Sequence, residues 1–358
     1  MRKIRVLVVD DSALMRRVLT DLLSRDEQID VVDTAADPLI AREKIKRLDP
    51  DVITLDVEMP NMGGLDFLER LMRLRPMPVV MFSSLTSQGA GESIRALALG
   101  AIDFVEKPSS GTAEDWENLA GSLISKIKLA AGAHMPAIVP GDVPAPRGPL
   151  SSWDNSPLDR IVAIGASTGG VQALQTVLRG LPAHAPPILI AQHMPENFTR
   201  SFAKRLDNLC DMAVAEARDG DALVSGHVYL APGDRHILLE RRAGGYACRL
   251  RGGAEHNGHM PSIDLMFQSV AAVAGSAAMG IVLTGMGKDG AAGLLQIHEA
   301  GGVTAAQDEA TSLIYGMPKA AAAIGAAQYE LPIDEISAFI LSPRRTLRQR
   351  SKPEGVRA

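Results

Sequence analysis

Short β-branched runs separated by amphipathic stretches recur along nearly the whole chain, and this alternation constrains the fold more than any other feature. In the first 110 residues the runs are IRVLVV (4–9), VVDTA (31–35), DVITL (51–55), VVMF (79–82) and IDFV (102–105). Between the first two, Leu14, Val18 and Leu22 recur at helical spacing behind Ser12, a residue suited to capping a helix. Apolar strands joined through helices run parallel, with the helices covering the sheet. The pattern predicts a five-stranded parallel sheet closed by a last helix over 114–130. From residue 160 the alternation resumes with IVAIGA, PILIAQH, HVYLAP, MGIVLTG and GVTAAQ, which predicts a second, doubly wound α/β unit with a mostly parallel sheet. One hairpin is expected in it, HILLERRAGGYACRL, turning at Gly244-Gly245.

Between these halves, residues 131–158 carry six prolines and no apolar period, the texture of an extended linker. The expected domains are therefore 1–130 and 159–343, joined by the linker 131–158 and followed by a basic, aperiodic tail, 344–358. A chain of 358 residues is long enough for two cores. Its net charge of -5 gives no basic excess to attract nucleic acid or an anionic membrane. No apolar run approaches the roughly 20 residues that cross a bilayer. The start, MRKIRVLVVDDSALM, meets acidic residues too soon for a secretory signal, so a cytoplasmic location without membrane insertion is expected, and with no oligomeric interface evident a monomer is the default. Cys210 and Cys248 have neither disulfide-framework nor zinc-ligand spacing and read as packed or surface thiols.

Asp10 and Asp11 follow the first strand and Asp56 the third. Parallel strands share one carboxyl edge, so these carboxylates converge there. Converging carboxylates repel unless a hard cation lies among them, and Mg²⁺ takes oxygen ligands. Ser83 and Lys107 end two further strands at the same edge. A carboxylate, a metal, a lysine and a hydroxyl together can receive and stabilise a phosphoryl group. The segments VLVVDDSALMRR, PDVITLDVEMPNMGGLDFLERL and FVEKP closely resemble the receiver domain of two-component response regulators. The resemblance implies a flavodoxin-like fold and phosphorylation of Asp56 by a histidine kinase. It also implies Mg²⁺ held by Asp10, Asp11 and Asp56, Ser83 as a hydroxyl switch, and Lys107 on the phosphoryl oxygens.

In the second half, GASTG fits G-x-S-x-G, the spacing of a nucleophile elbow that lifts a serine beside backbone N–H groups. By itself the pattern fits a nucleophile, a phosphate loop or a plain tight turn. It lacks the dinucleotide fingerprint spacing and a following lysine, which weakens the phosphate reading. A nucleophilic serine needs a base and a group to orient that base. His193 and Asp289 each follow an apolar strand, so both belong on the carboxyl edge with Ser167. Their order differs from those of the α/β-hydrolase, chymotrypsin and subtilisin enzymes. His256 and His259 are three apart but lack a third metal ligand at a zinc-like interval. His134, His184, His227, His236 and His298 read as structural histidines, and Asp264 as a helix-start carboxylate. A DNA-binding output would end in a basic helix-turn-helix, whereas here about 200 residues of glycine-rich α/β sequence follow the linker.

IGASTGG, QHMPENFTRSFAKRL, YLAPGDRH, HMPSIDLMF, LTGMGKDGAAGL and YGMPKAA, in this order, resemble the catalytic domain of chemotaxis protein-glutamate methylesterases. What the resemblance implies is a receptor-directed hydrolase with Ser167 as nucleophile, His193 as general base and acid, and Asp289 as its orienter. Backbone N–H groups near Met286, helped by Thr168, are implied to hold the oxyanion, with no cofactor for ester hydrolysis. The substrates implied are glutamate methyl esters of methyl-accepting chemotaxis receptors. Deamidation of receptor glutamines is an activity the family often shares. The receiver is implied to restrain the esterase until Asp56 is phosphorylated. Met260 stands where family members often have arginine.

Overall fold

Two compact units, Met1–Asp142 and Val143–Ala358, divide the chain. The computed structural model describes residues 2–59, 62–83, 87–107, 112–135 and 160–343. Most of the expected linker, the whole expected tail and Pro108 lie outside the described residues.

In the first unit β1 (Ile4–Val9), β2 (Ile29–Ala35), β3 (Val52–Asp56), β4 (Val79–Ser83) and β5 (Asp103–Glu106) alternate with five helices. These are α1 (Ala13–Leu23), α2 (Pro38–Leu48), α3 (Gly64–Leu74), α4 (Ser87–Ala98) and α5 (Ala113–Ala131). The strands pair in parallel in the order β2-β1-β3-β4-β5. Helices cover both faces, so Val6–Val9, Ile53, Leu55 and Val79–Phe82 are buried, and the strands read as unbroken apolar runs. Ser12 caps α1 by accepting the Met15 N–H, as expected from the sequence. Adjacent β1 and β3 bring Asp10 and Asp56 to the crevice where the strand order reverses.

The second unit opens with β6 (Ile161–Ala166), α6 (Gly170–Arg179), β7 (Ile188–Gln192), α7 (Glu196–Asp207), β8 (Ala213–Glu216) and β9 (His227–Leu230). The hairpin strands β10 (His236–Arg242) and β11 (Gly245–Arg251) follow, then α8 (Ile263–Ala274), β12 (Ala278–Val282) and α9 (Ala291–Glu299). The unit ends with β13 (Val303–Gln307), α10 (Met317–Ala323), β14 (Tyr329–Leu331) and α11 (Ile333–Leu341). Seven strands form one parallel sheet in the order β14-β13-β12-β6-β7-β9-β8, and the hairpin stands outside it as a two-stranded sheet.

Two details differ from the sequence reading. The edge strands β8 and β14 are short and half-exposed, so neither writes the apolar run by which the others are recognised. The hairpin turns at Ala243-Gly244, one residue earlier than expected, because Gly245 already pairs with Arg242. Gly245, at φ +131°, takes up the backbone twist just past the turn.

Candidate active site

β6 lies at the middle of the sheet, with β7 on one side and β12 on the other, so their carboxyl ends surround the point where the strand order reverses. Ser167 follows β6, His193 follows β7, and Asp289 lies in the turn between β12 and α9. The glycines of GASTG have separate tasks. A Cβ on Gly165 would sit 2.2 Å from Ile263 Cγ2, so its absence lets the start of α8 press against β6. Gly169 turns the chain at φ +81°. Ser167 itself does not carry the strain of a nucleophile elbow. Among the described residues only Asp49 and Asn257 combine a side chain with positive φ.

The three side chains the sequence brought forward form a continuous hydrogen-bonded chain. His193 Nδ1 lies 3.2 Å from Ser167 Oγ, and His193 Nε2 lies 2.9 Å from Asp289 Oδ2. A carboxylate only accepts, so the neutral imidazole carries its proton on Nε2 and leaves Nδ1 free to accept from the serine. Asp289 is buried and satisfied from every side. Its Oδ2 also accepts the Ile263 N–H at 2.8 Å, and its Oδ1 accepts the Asp264 N–H at 3.0 Å and the Ser262 hydroxyl at 3.2 Å. Burial works to raise its pKa, but the His193 bond and the α8 amides outweigh it and hold the carboxyl at about 2.

Several residues that the sequence did not bring forward hold these groups in place. Gln192 Nε2 donates to both the Ser167 carbonyl (2.9 Å) and the His193 carbonyl (3.1 Å), tying the nucleophile turn to the base turn. Gln192 sits directly before His193 in QHMP, a position that sequence alone marks only as a strand end. Buried Thr284 lies 3.0 Å from the Thr168 carbonyl and accepts the Ile314 N–H at 2.9 Å, fixing Thr168 beside the following loop. A Cβ on Gly285 would come 2.7 Å from Ser167 Cβ and 2.4 Å from Met317 Sδ. That loop therefore passes hard against the nucleophile, carrying Met286, which is 54% exposed.

Two of the other histidines take part in shaping the site. His236 is buried and accepts the Ser262 N–H on Nδ1 at 3.0 Å while Nε2 faces the Ala254 carbonyl at 3.2 Å. His259 stacks on His193, with ring centroids 3.9 Å apart and planes 10° from parallel. Three residues past His256, it has no metal company; among the described residues the one cluster of three metal-capable side chains is Asp10, Asp11 and Asp56. Asp264 is, as read from the sequence, a helix-start carboxylate; it is buried and accepts the Gly293 N–H at 2.7 Å.

In the first unit the carboxylate oxygens of Asp10, Asp11 and Asp56 lie within 4.8 Å of one another. Lys107 Nζ contacts Asp56 Oδ1 at 2.7 Å. Burial, then the charge of Asp56, raises the Asp10 pKa to about 6. Buried Asp10 Oδ2 has no hydrogen-bond partner, which suits a hard cation between these oxygens. Ser83, buried at the end of β4, accepts the hydroxyl of Ser93 in α4 at 2.8 Å.

Comparison with known proteins agrees with both halves. A CheB methylesterase family model matches residues 162–340, and a response regulator receiver domain model matches residues 6–113. A relative from Xanthomonas oryzae pv. oryzae, named protein-glutamate methylesterase/protein-glutamine glutaminase 2, is 51% identical over 346 residues, covering 95% of this chain and 97% of its own. A protein-glutamate methylesterase/protein-glutamine glutaminase of Bordetella parapertussis is 52% identical over 343 residues, 96% of this chain and 97% of its own. The crystal structure of the Thermotoga maritima CheB methylesterase catalytic domain is similar at TM-score 0.50 and 38% identity, covering 51% of this chain and 98% of that one.

Proposed function

Since the chain belongs to the CheB methylesterase family, with a response regulator receiver domain ahead of the esterase domain, we propose that it is a phosphorylation-controlled serine hydrolase acting on chemotaxis receptors. Its substrates are side-chain methyl esters of receptor glutamates, and its products are methanol and a restored carboxylate. Ser167, His193 and Asp289 carry the reaction. The single observation that most supports this is their unbroken hydrogen-bonded chain at the carboxyl edge of a parallel sheet.

His193 Nδ1 takes the Ser167 proton as Oγ attacks the ester carbonyl, and Asp289 balances the charge that forms on the ring. The oxyanion is held by backbone N–H groups at Met286, with Thr168 in support. His193 then gives its proton to the departing methoxide, which leaves as methanol. Water attacks the acyl-serine, its proton passes to His193, and the glutamate carboxylate leaves as Ser167 regains a proton. With a glutamine side chain the same steps release ammonia instead of methanol.

Control lies in the receiver. Asp56 takes a phosphoryl group from the histidine kinase of the pathway; Lys107 and Ser83 meet its oxygens. Asp10, Asp11 and Asp56 would hold Mg²⁺, which supplies positive charge to the transferring phosphoryl group. Receptors are partners as substrates, and the enzyme works in the cytoplasm as a monomer. Residues 1–130 form the regulatory domain and 159–343 the esterase domain. The test is methanol release from methylated receptor membranes, with and without a small-molecule phosphodonor and Mg²⁺. Release that rises with phosphodonor and vanishes in Ser167→Ala is expected. Release that persists in Ser167→Ala would exclude this serine as the nucleophile.

A further inference from the structure

His259 is delivered to the active site by a loop built for the purpose. Residues 252–262 run from the end of β11 to the start of α8. At the loop tip, His256 and His259 exchange backbone hydrogen bonds of 3.0 and 3.1 Å across Asn257-Gly258. Asn257 (φ +53°) and Gly258 (φ +78°) are both left-handed, the conformation that an Asn-Gly pair adopts at least cost in a two-residue hairpin turn. At the loop base, His236 binds the Ala254 carbonyl with one ring nitrogen and the Ser262 N–H with the other. An amide N–H donates, so Nδ1 of His236 accepts, its proton is on Nε2, and one neutral imidazole pins both ends of the loop.

What this held loop presents is a flat ring laid parallel on the ring of His193 at van der Waals distance. His193 has to keep two directions at once, Nδ1 toward Ser167 and Nε2 toward Asp289. Two hydrogen bonds in the ring plane leave rotation about the axis through them weakly resisted, and a stacked ring opposes that rotation. The stack also covers one face of the imidazole, whose side chain is only 10% exposed. His259 suits the place because burial first, and the neighbouring His193 second, lower its pKa, while Asp289 and Glu255 pull the other way. The lowering works against a second positive charge beside the imidazolium formed when His193 takes the serine proton.

We propose that His259 is a positioning residue of the esterase: its ring, set by the Asn257-Gly258 turn and the His236 anchor, fixes the plane of the His193 imidazole between Ser167 and Asp289. This rests on the assignment of Ser167, His193 and Asp289 as the reacting group. The side chain acts through its planar face rather than through its nitrogens. A small misplacement of a catalytic group costs up to about 100-fold in rate, which sets the scale of the effect.

The test compares full-length His259→Ala, His259→Gln and His259→Phe with the parent and with Ser167→Ala. The readouts are kcat and KM for methanol release from methylated receptor membranes, together with the imidazole nitrogen resonances of His193 in nitrogen-labelled protein. His259→Ala and His259→Gln are expected to lose about 10- to 100-fold in kcat with KM changed less than about threefold, and their His193 resonances to move toward tautomer averaging. His259→Phe is expected to recover to within about threefold of the parent, because it restores the face without the nitrogens. Parental kcat in His259→Ala overturns the proposal, as does a Phe variant no better than Ala. If His259→Ala melts early, Gln against Phe gives the same decision, since both fill the volume. Persisting activity in Ser167→Ala would instead strike the underlying assignment, so the two failures are separable.

Discussion

Asp289 Oδ2 lies 2.9 Å from His193 Nε2 and 2.8 Å from the Ile263 N–H, so the carboxylate that orients the base also caps the helix α8. Catalytic geometry and helix packing are thereby one constraint. The negative charge at the N-terminus of α8 is favoured by the helix dipole, which helps keep Asp289 ionised despite its burial.

Ser167→Ala and Asp289→Asn should therefore part company. Each is expected to reduce kcat for methanol release by about 10⁴-fold. Only Asp289→Asn should also destabilise the unit, by about 1–2 kcal/mol in urea unfolding, because an amide turns a donor toward groups that themselves donate.

Acid should undo the same contact. The Asp289 pKa is lowered in the folded state from 3.8 to about 2, so the stabilisation it provides is complete above 3.8 and is lost as pH falls through 2. Parent and Asp289→Asn should converge in stability at the acid end of that window, and unfolding midpoints measured across it check this.

Gly285→Ala should be a kinetic rather than a folding mutation. The new Cβ would meet Ser167 Cβ at 2.7 Å and the Ser167 backbone nitrogen at 3.3 Å, so the serine must shift, while Met317 Sδ at 2.4 Å lies near the end of an unbranched, though buried, side chain. The expected result is a loss of about 100-fold in kcat with KM little changed. Steady-state methanol release gives both constants.

Asp56→Asn should leave unstimulated hydrolysis close to the parent and abolish the rise caused by phosphodonor and Mg²⁺. Full stimulation of this variant would remove Asp56 from the control of the esterase.

The Asp10 pKa is raised from 3.8 to about 6, so the folded receiver binds the extra proton more tightly than the unfolded chain does. Its stability should fall as pH rises from 3.8 through 6, the opposite of an ion-paired aspartate. Mg²⁺ should raise the melting temperature of the receiver by a few degrees at pH 7 and by less at pH 5, where protons compete. In Asp10→Asn, thermal scans should show the pH-dependent loss and the Mg²⁺ gain both much reduced.

Much of this molecule was legible in order of sequence. Strands covered on both faces must be apolar throughout, so β1, β3, β4, β6, β7 and β12 announce themselves as continuous runs. Residues that end parallel strands share an edge, which is why Asp10 and Asp56, and separately Ser167 and His193, could be placed together before any contact was known. β8 and β14 escaped because an edge strand needs no such run.

The sequence by itself determined two parallel α/β units, with chemistry at the carboxyl edge of each, because burial and chain direction are written residue by residue. Only the tertiary structure decided that Gln192 ties Ser167 to His193, that Gly285 presses on the nucleophile, and that His259 lies flat on His193. Those contacts join segments separated by many residues, and their distances depend on strand register and on how α8 seats against β6. A histidine in an Asn-Gly turn has no local pattern that tells which ring it will meet. The meeting is fixed by packing, which sums over the whole unit.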